Sequence, residues 1–197
     1  MIKGIIFDCF GVLLADMMKV RIEAVRKTDP QAAQSLSDIM RASNMGLLGR
    51  EEAAQHMADI LHIDYKDILT TADKGETKNE QLVEFIKTLR PTYKVAMLSN
   101  VRSRERLEQR FDPGELDELF DDVIASGDVG IVKPERQVYE LTAARIGVAP
   151  EDCVMIDDIQ EFCTGAEAVG MRSIQFVHTD QMIADLRTLI DSEGEKY

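Results

Sequence analysis

The sequence predicts an α/β fold: a Rossmann-like parallel sheet core interrupted by an inserted helical-bundle cap. Three observations carry this. Short β-rich apolar runs alternate with helix-period segments. The alternation breaks once, between about 15 and 90, where only helical periodicity is present. Three of the apolar runs end in acidic, hydroxyl or amide residues, as strands do when their carboxyl ends face a site.

The first run, KGIIFD, is continuously apolar up to Asp8, as expected of a strand covered on both faces. The period then changes. Met18, Ile22 and Val25 form one stripe, Leu36, Ile39 and Met40 a second, and Ala53, Met57, Ile60 and Leu61 a third. These methionine-rich stripes are read as the core of a small bundle. Thr77-x-x-Glu80 reads as a capping box starting a helix with Leu82, Val83, Ile86 and Leu89. After Pro91 the strand pattern resumes in YKVAMLSN, followed by a helix over 102–111 with Leu107 and Phe111. DDVIAS is a third strand. A helix over 135–146 carries Val138, Leu141 and Ala144 and stops at Gly147, with Pro134 suited to its first turn. DCVMIDD is the fourth strand. A helix over 160–169, with Phe162, Ala166 and Val169, stops at Gly170. RSIQFV is the fifth strand, and a last helix from about 180 buries Ile183, Leu186 and Ile190. The tail SEGEKY is expected to fray. Strand and helix in alternation imply right-handed crossovers. The division is therefore 1–14 and 91–197 for the core, 15–90 for the cap.

Composition narrows the function classes. The chain has 197 residues, 45% of them apolar, and a formal net charge of −13. That charge disfavours nucleic acid, whose phosphates call for clustered Lys and Arg. The segment RSRERLEQR mixes both signs and reads as a solvated helix face. No apolar run reaches the length of a membrane span, and MIKGIIFD has too short an apolar stretch for a signal peptide, so a cytoplasmic location is expected. Cys9, Cys153 and Cys163 share no CxxC spacing, which argues against a disulfide framework or zinc site. His56, His62 and His178 share no ligand spacing and read as structural or surface residues. Oligomeric state leaves no signature.

The strand ends carry the chemistry, because ligands of an open parallel sheet gather beyond its carboxyl edge. Asp8 ends the first strand, Ser99-Asn100 the second and Asp157-Asp158 a later one, while Lys133-Pro134 stands in a loop before a helix. Carboxylates brought together repel unless a cation or proton intervenes. Oxygen ligands without His or Cys select a hard ion, and Mg²⁺ commonly shares its shell with phosphate. Lys133 supplies a point charge for phosphate oxygens, and Ser99 with Asn100 a hydroxyl and amide donors. A carboxylate nucleophile can attack phosphorus to give an acyl phosphate that water hydrolyses.

In order, IIFDCFGVLL, VAMLSN, GIVKPE and VMIDD resemble the four motifs of the haloacid-dehalogenase superfamily. The likeness covers almost the whole chain and includes a helical cap after the first motif. It points to the phosphatase subgroup, in which a hydrophobic-Asp-Asp motif precedes a GA-x-x-x-G stretch, here Gly165-Ala166 to Gly170. The resemblance implies Asp8 as nucleophile and metal ligand, the Phe10 carbonyl as a second ligand, and Asp158 on Mg²⁺ with Asp157 as ligand or support. It implies Ser99 and Asn100 on the phosphoryl group, Lys133 between nucleophile and phosphate, and Gly11 in the tight turn. The substrate implied is a small phosphorylated molecule.

One position departs from that pattern. Most phosphatases of the superfamily carry a second Asp two residues after the nucleophile, as general acid and base; this chain has Phe10. Asp16 is read as a helix N-terminal acid, with replacement of the missing acid as the alternative. The haloacid dehalogenases proper carry an aromatic residue at that place and use no metal, so metal-free dehalogenation is the rival activity. A binding or regulatory role on a hydrolase scaffold is the rival class.

Overall fold

The computed structural model describes residues 1–74 and 76–194; the end of the tail expected to fray, 195–197, lies outside the described residues. Strand β1 (Gly4–Phe7) is followed by five helices: α1 (Met17–Arg26), α2 (Pro30–Asn44), α3 (Arg50–Leu61), α4 (Tyr65–Lys74) and α5 (Glu80–Leu89). Then come β2 (Lys94–Ser99), α6 (Arg104–Glu108), α7 (Glu115–Leu119), β3 (Asp122–Ala125), α8 (Ser126–Val129) and α9 (Arg136–Arg145). The chain continues through β4 (Cys153–Asp157), α10 (Gln160–Glu167), β5 (Arg172–Gln175) and α11 (Thr179–Gly194). All five expected strands are present. They form one parallel sheet in the order β3-β2-β1-β4-β5, with Phe7 in register with Met97 on one side and Ile156 on the other.

Alternation along the strands divides the core in two. Ile5, Phe7, Val95, Met97, Val154 and Ile156 face one cluster, shared with Leu82, Val83, Ile86 and Leu89 of α5 and Met182 and Leu186 of α11. Ile6, Ala96, Leu98 and Met155 face the other, with Val138, Tyr139 and Ala143 of α9 and Ala166 of α10. Both sheet faces are dry, which explains why the strands read as unbroken apolar runs. The cysteines are free and buried.

The helices α1–α4 form a third cluster built on the three expected stripes, including Met18, Ile22, Leu36, Met57, Ala58 and Ile68. Helix α5, which falls within the expected cap segment 15–90, packs instead on the sheet. Its start also differs from expectation. Asn79, not Thr77, is the N-cap, with Oδ1 accepting from the Leu82 amide at 3.2 Å. Thr77 is held elsewhere: its carbonyl accepts from Ala15 N at 3.0 Å, and Asn79 N donates to Leu13 O at 2.8 Å. The chain thus enters and leaves the cap through two antiparallel segments side by side, bridged at Leu14 and Lys78. Asn79 Nδ2 clamps this neck to Val12 O and to Thr179 Oγ1 at the start of α11.

Helix α9 begins later than expected. Glu135 is its N-cap, so Pro134 precedes the helix and does not occupy its first turn. Among the described residues no helix is long and apolar enough to cross a membrane.

Candidate active site

Asp8 stands just beyond β1, the middle strand, its amide bonded to Ile156 O of β4 at 2.9 Å. This register puts Asp8 beside Asp157, the last residue of β4, and Asp158 follows. One carboxylate oxygen from each of Asp8, Asp157 and Asp158 lies within 4.8 Å of the others. Lys133 reaches into the cluster from the loop after α8. Its Nζ is 2.8 Å from Asp8 Oδ1 and 2.6 Å from Asp157 Oδ2, and its side chain is fully buried. The second Asp157 oxygen accepts from the Ile159 amide at 2.9 Å. Both oxygens of Asp157 are thereby bonded, and it fixes Lys133 in place.

Asp158 is held differently. One oxygen pairs with Lys19 Nζ from α1, while Oδ1 is buried without a hydrogen-bond partner. Gly11, at φ 95°, passes so close that a Cβ there would lie 2.2 Å from Asp158 Oδ2. The glycine expected for a tight turn is thus also required by the approach of Asp158.

The β2 end contributes Ser99, 1% exposed, whose Oγ is buried and unpartnered. Its neighbour Asn100 uses its side chain twice on one residue, donating to Lys133 O at 3.0 Å and accepting from Lys133 N at 2.8 Å. The Asn100 side chain therefore fixes the Lys133 loop. The Lys133–Pro134 peptide, which is cis, is packed from below by α10. A Cβ on Gly165 would come within 2.9 Å of both Pro134 Cβ and the Tyr139 hydroxyl, which accounts for glycine in the GA-x-x-x-G stretch. Tyr139 donates to Phe162 O at 2.8 Å, and the Phe162 ring lies 5.0 Å from Lys133 Nζ.

The electrostatics follow from burial. Loss of water pushes the Asp8 carboxyl up to about 7; Lys133 opposes this, and Asp157 and Asp158 add to it. Burial also raises Asp157, against Lys133 and the Ile159 amide. Burial pulls Lys133 down, but Asp157 and Asp8 outweigh it and hold the ammonium charged. The centre has three carboxylates against Lys133 and Lys19, an excess of negative charge. An unsatisfied Asp158 oxygen, all-oxygen donors and that excess suit a hard divalent cation. The residues fit magnesium.

A cleft of about 620 Å³ opens over this cluster, within the range of small-ligand sites. Its core wall carries Asp8, Ser99, Asn100, Lys133 and Asp158; its other wall carries Lys19, Arg26, Gln34, Asp38 and Arg41 of α1 and α2. Asp16 caps α1, accepting from Lys19 N at 2.8 Å, and also lines the cleft; burial raises its carboxyl, with the Lys19 amide opposing. Phe10 forms part of the rim, packed on the sheet cluster with Arg106 5.9 Å above its ring.

Two features had no sequence signal. Lys19 is a lone lysine on a cap helix with no motif around it. The RSRERLEQR segment, read as a solvated face, holds Arg106 and Arg110 against the buried carboxylate of Glu76. Arg104 of the same segment is solvated, pairing with Glu108 and Asp117.

A parallel α/β sheet with a helical cap, and a carboxylate–lysine cluster at its carboxyl edge, define a hydrolase scaffold. Residues 2–170 match the model of haloacid dehalogenase-like hydrolases, and the chain belongs to that family. It is 24% identical to a phosphorylated carbohydrates phosphatase of Thermotoga maritima, over 87% of this chain and 83% of that protein. It is 23% identical to (S)-2-haloacid dehalogenase 4A of Burkholderia cepacia, over 88% and 82%. It is 27% identical to drimenol cyclase of Aspergillus calidoustus over its full length, but spans only 38% of that protein. A predicted HAD-like hydrolase from Porphyromonas gingivalis has the same fold, with TM-score 0.68, 24% identity and coverage of 96% and 98%. So has a HAD-family enzyme of Bacteroides thetaiotaomicron complexed with magnesium and inorganic phosphate, with TM-score 0.67, 18% identity and coverage of 88% and 93%.

Proposed function

We propose that the protein is a magnesium-dependent phosphatase of a small phosphorylated metabolite, working through an aspartyl phosphate on Asp8. The observation that carries this is the buried Asp8 carboxylate beside Lys133 and Asp158, with the unpartnered Ser99 hydroxyl at the next strand end. Asp8, Asp158 and the Phe10 carbonyl would hold the ion, which supplies charge neutralisation for the phosphoryl oxygens. Asp157 keeps Lys133 oriented, and the Asn100 side chain keeps its loop in place.

An Asp8 carboxylate oxygen attacks phosphorus in line with the ester oxygen. The P–O bond breaks, and the leaving group departs with the electron pair. Ser99 donates to a phosphoryl oxygen and Lys133 balances the incoming charge. Water then cleaves the acyl phosphate, restoring the Asp8 carboxylate and giving inorganic phosphate. The proton released neutralises the departed oxygen anion. Phe10 cannot assist either proton transfer, which costs roughly 10²–10⁴ in rate relative to a site with a positioned acid. The cap wall selects the rest of the substrate.

A second reading, metal-free hydrolysis of a 2-haloacid by attack of Asp8 on carbon, is favoured by one observation: an aromatic ring, Phe10, on the cleft wall. One set of assays separates the two. Hydrolysis of an aryl phosphate should require Mg²⁺ and fall by at least about 10⁴ in Asp8→Asn. Phe10→Asp should raise turnover of alkyl phosphates by about 10²–10⁴. No phosphate release from any of a panel of esters, with halide release from 2-chloropropionate in EDTA, would replace the first reading with the second.

A further inference from the structure

We propose that a side recess behind Phe10 receives the leaving group of the substrate, and that this group is apolar, benzene-sized and phenolic. The inference rests on the phosphatase reading and names its substrate class. The recess measures about 170 Å³ and shares Phe10, Asp16, Met40, Asn44 and Asn100 with the catalytic cleft. The two cavities therefore meet along the rim that Phe10 forms. An apolar protein cavity of about 150 Å³ holds one benzene. The size admits a ring.

Its walls match a ring in chemistry as well as size. Met18 from α1, Ala54 and Met57 from α3 and Ile68 from α4 are all buried side chains that line it. Thioethers make favourable contacts with aromatic edges and adapt to their shape. Two acids stand on this wall, Glu76, neutralised by Arg106 and Arg110, and Asp16, which accepts from the Lys19 amide; Arg50 and Arg102 also line it, so charge borders the apolar patch.

The second, independent observation is Phe10 itself, which offers no proton at this rim. In the first step a bond forms from an Asp8 oxygen to phosphorus, and the P–O(aryl) bond breaks with its pair going to the aryl oxygen. A phenol, with pKa near 10 as in tyrosine, departs as the anion. An alkoxide, whose conjugate acid is far weaker than a phenol, needs the missing acid. The proton from the water consumed in the second step ends on the phenolate. A phenolic phosphate resolves both features at once: it fills the recess and leaves unaided.

The test uses the full chain with Mg²⁺. Competitive inhibition by phenylphosphonate and methylphosphonate is compared in wild type, Ala54→Leu, which fills the recess, and Met57→Ala, which enlarges it. Wild type should bind phenylphosphonate about tenfold or more tighter than methylphosphonate. Ala54→Leu should erase that preference, and Met57→Ala should extend it to 1-naphthylphosphonate. The kcat/KM ratio of phenyl phosphate to acetyl phosphate should fall in parallel in Ala54→Leu. Equal affinity for the two phosphonates in wild type, or a preference unchanged in both variants, overturns the inference. If wild type turns over no phosphate ester, the phosphatase reading fails, and binding of the phosphonates, followed by calorimetry, still decides whether the recess takes a ring.

Discussion

The two walls of the catalytic cleft are built on opposite principles. On the core wall most polar side chains are buried and bonded: Asp8, Asp157, Lys133 and Ser99 are all at most 5% exposed, while Asn100 and Asp158 are partly buried. Strand register, the Asn100 clamp and the close approach of Gly11 and Gly165 leave them little freedom. On the cap wall the polar groups sit on the solvated faces of α1 and α2, and Arg41 is exposed and has no ion-pair partner among the described residues. The difference teaches that one wall is preorganised for charge, as a site that stabilises developing charge requires, while the other presents solvated side chains that the fold does not depend on.

The largest effect should come from Lys133→Met. It leaves Asp8 and Asp157 without their cation and should cost about 3–5 kcal/mol in chemical denaturation, besides abolishing turnover. Arg41→Ala tests the opposite wall. It should leave stability within about 0.5 kcal/mol and raise KM about tenfold with little change in kcat, the pattern of lost uniform binding. If the two variants were equally mild in denaturation, the contrast between the walls would be wrong.

A third substitution sharpens the comparison by placing a charged network away from the cleft. Asp121 accepts from the Val95 amide at 2.8 Å and pairs with Lys94 and Arg90. Partial burial raises its carboxyl, but the amide, Lys94 and Arg90 outweigh it and hold it below the usual carboxylate range. A depressed folded value stabilises above the unfolded pKa of about 3.9 and is lost as pH falls through the folded one. Asp121→Asn should therefore cost about 1–2 kcal/mol near neutrality, a deficit that begins to shrink below about pH 4 and vanishes once pH is below the folded value. A constant deficit from pH 7 to pH 3 would show that packing, not charge, is what the substitution removes.

The strands were legible because a doubly covered sheet demands unbroken apolar runs, and the site residues because strand ends converge by topology alone. Asp8, Ser99, Lys133, Asp157 and Asp158 meet as their placement implied. What the sequence hid was partnership. Asp157 and Asp158 are adjacent and chemically identical, yet one faces Lys133 and the Ile159 amide while the other faces Lys19 and the cleft, because side chains alternate at a strand end. Thr77-x-x-Glu80 looked like a helix start, but pairing of Thr77 with Ala15 keeps the chain extended until Asn79. Tertiary pairing overrode a local signal. Helix α5 reads like its neighbours because amphipathic helices look alike whichever cluster they cover.

The neck has a consequence of another kind. Since Leu13–Ala15 and Thr77–Asn79 are hydrogen-bonded neighbours, the cap is a loop whose two ends are already closed. Closure entropy grows only with the logarithm of what lies between such ends. The cost of closing the sheet's two ends is therefore nearly blind to the length of the insert, whereas its content is not free: an exchanged insert would take Lys19 with it, and with Lys19 the pairing that holds Asp158.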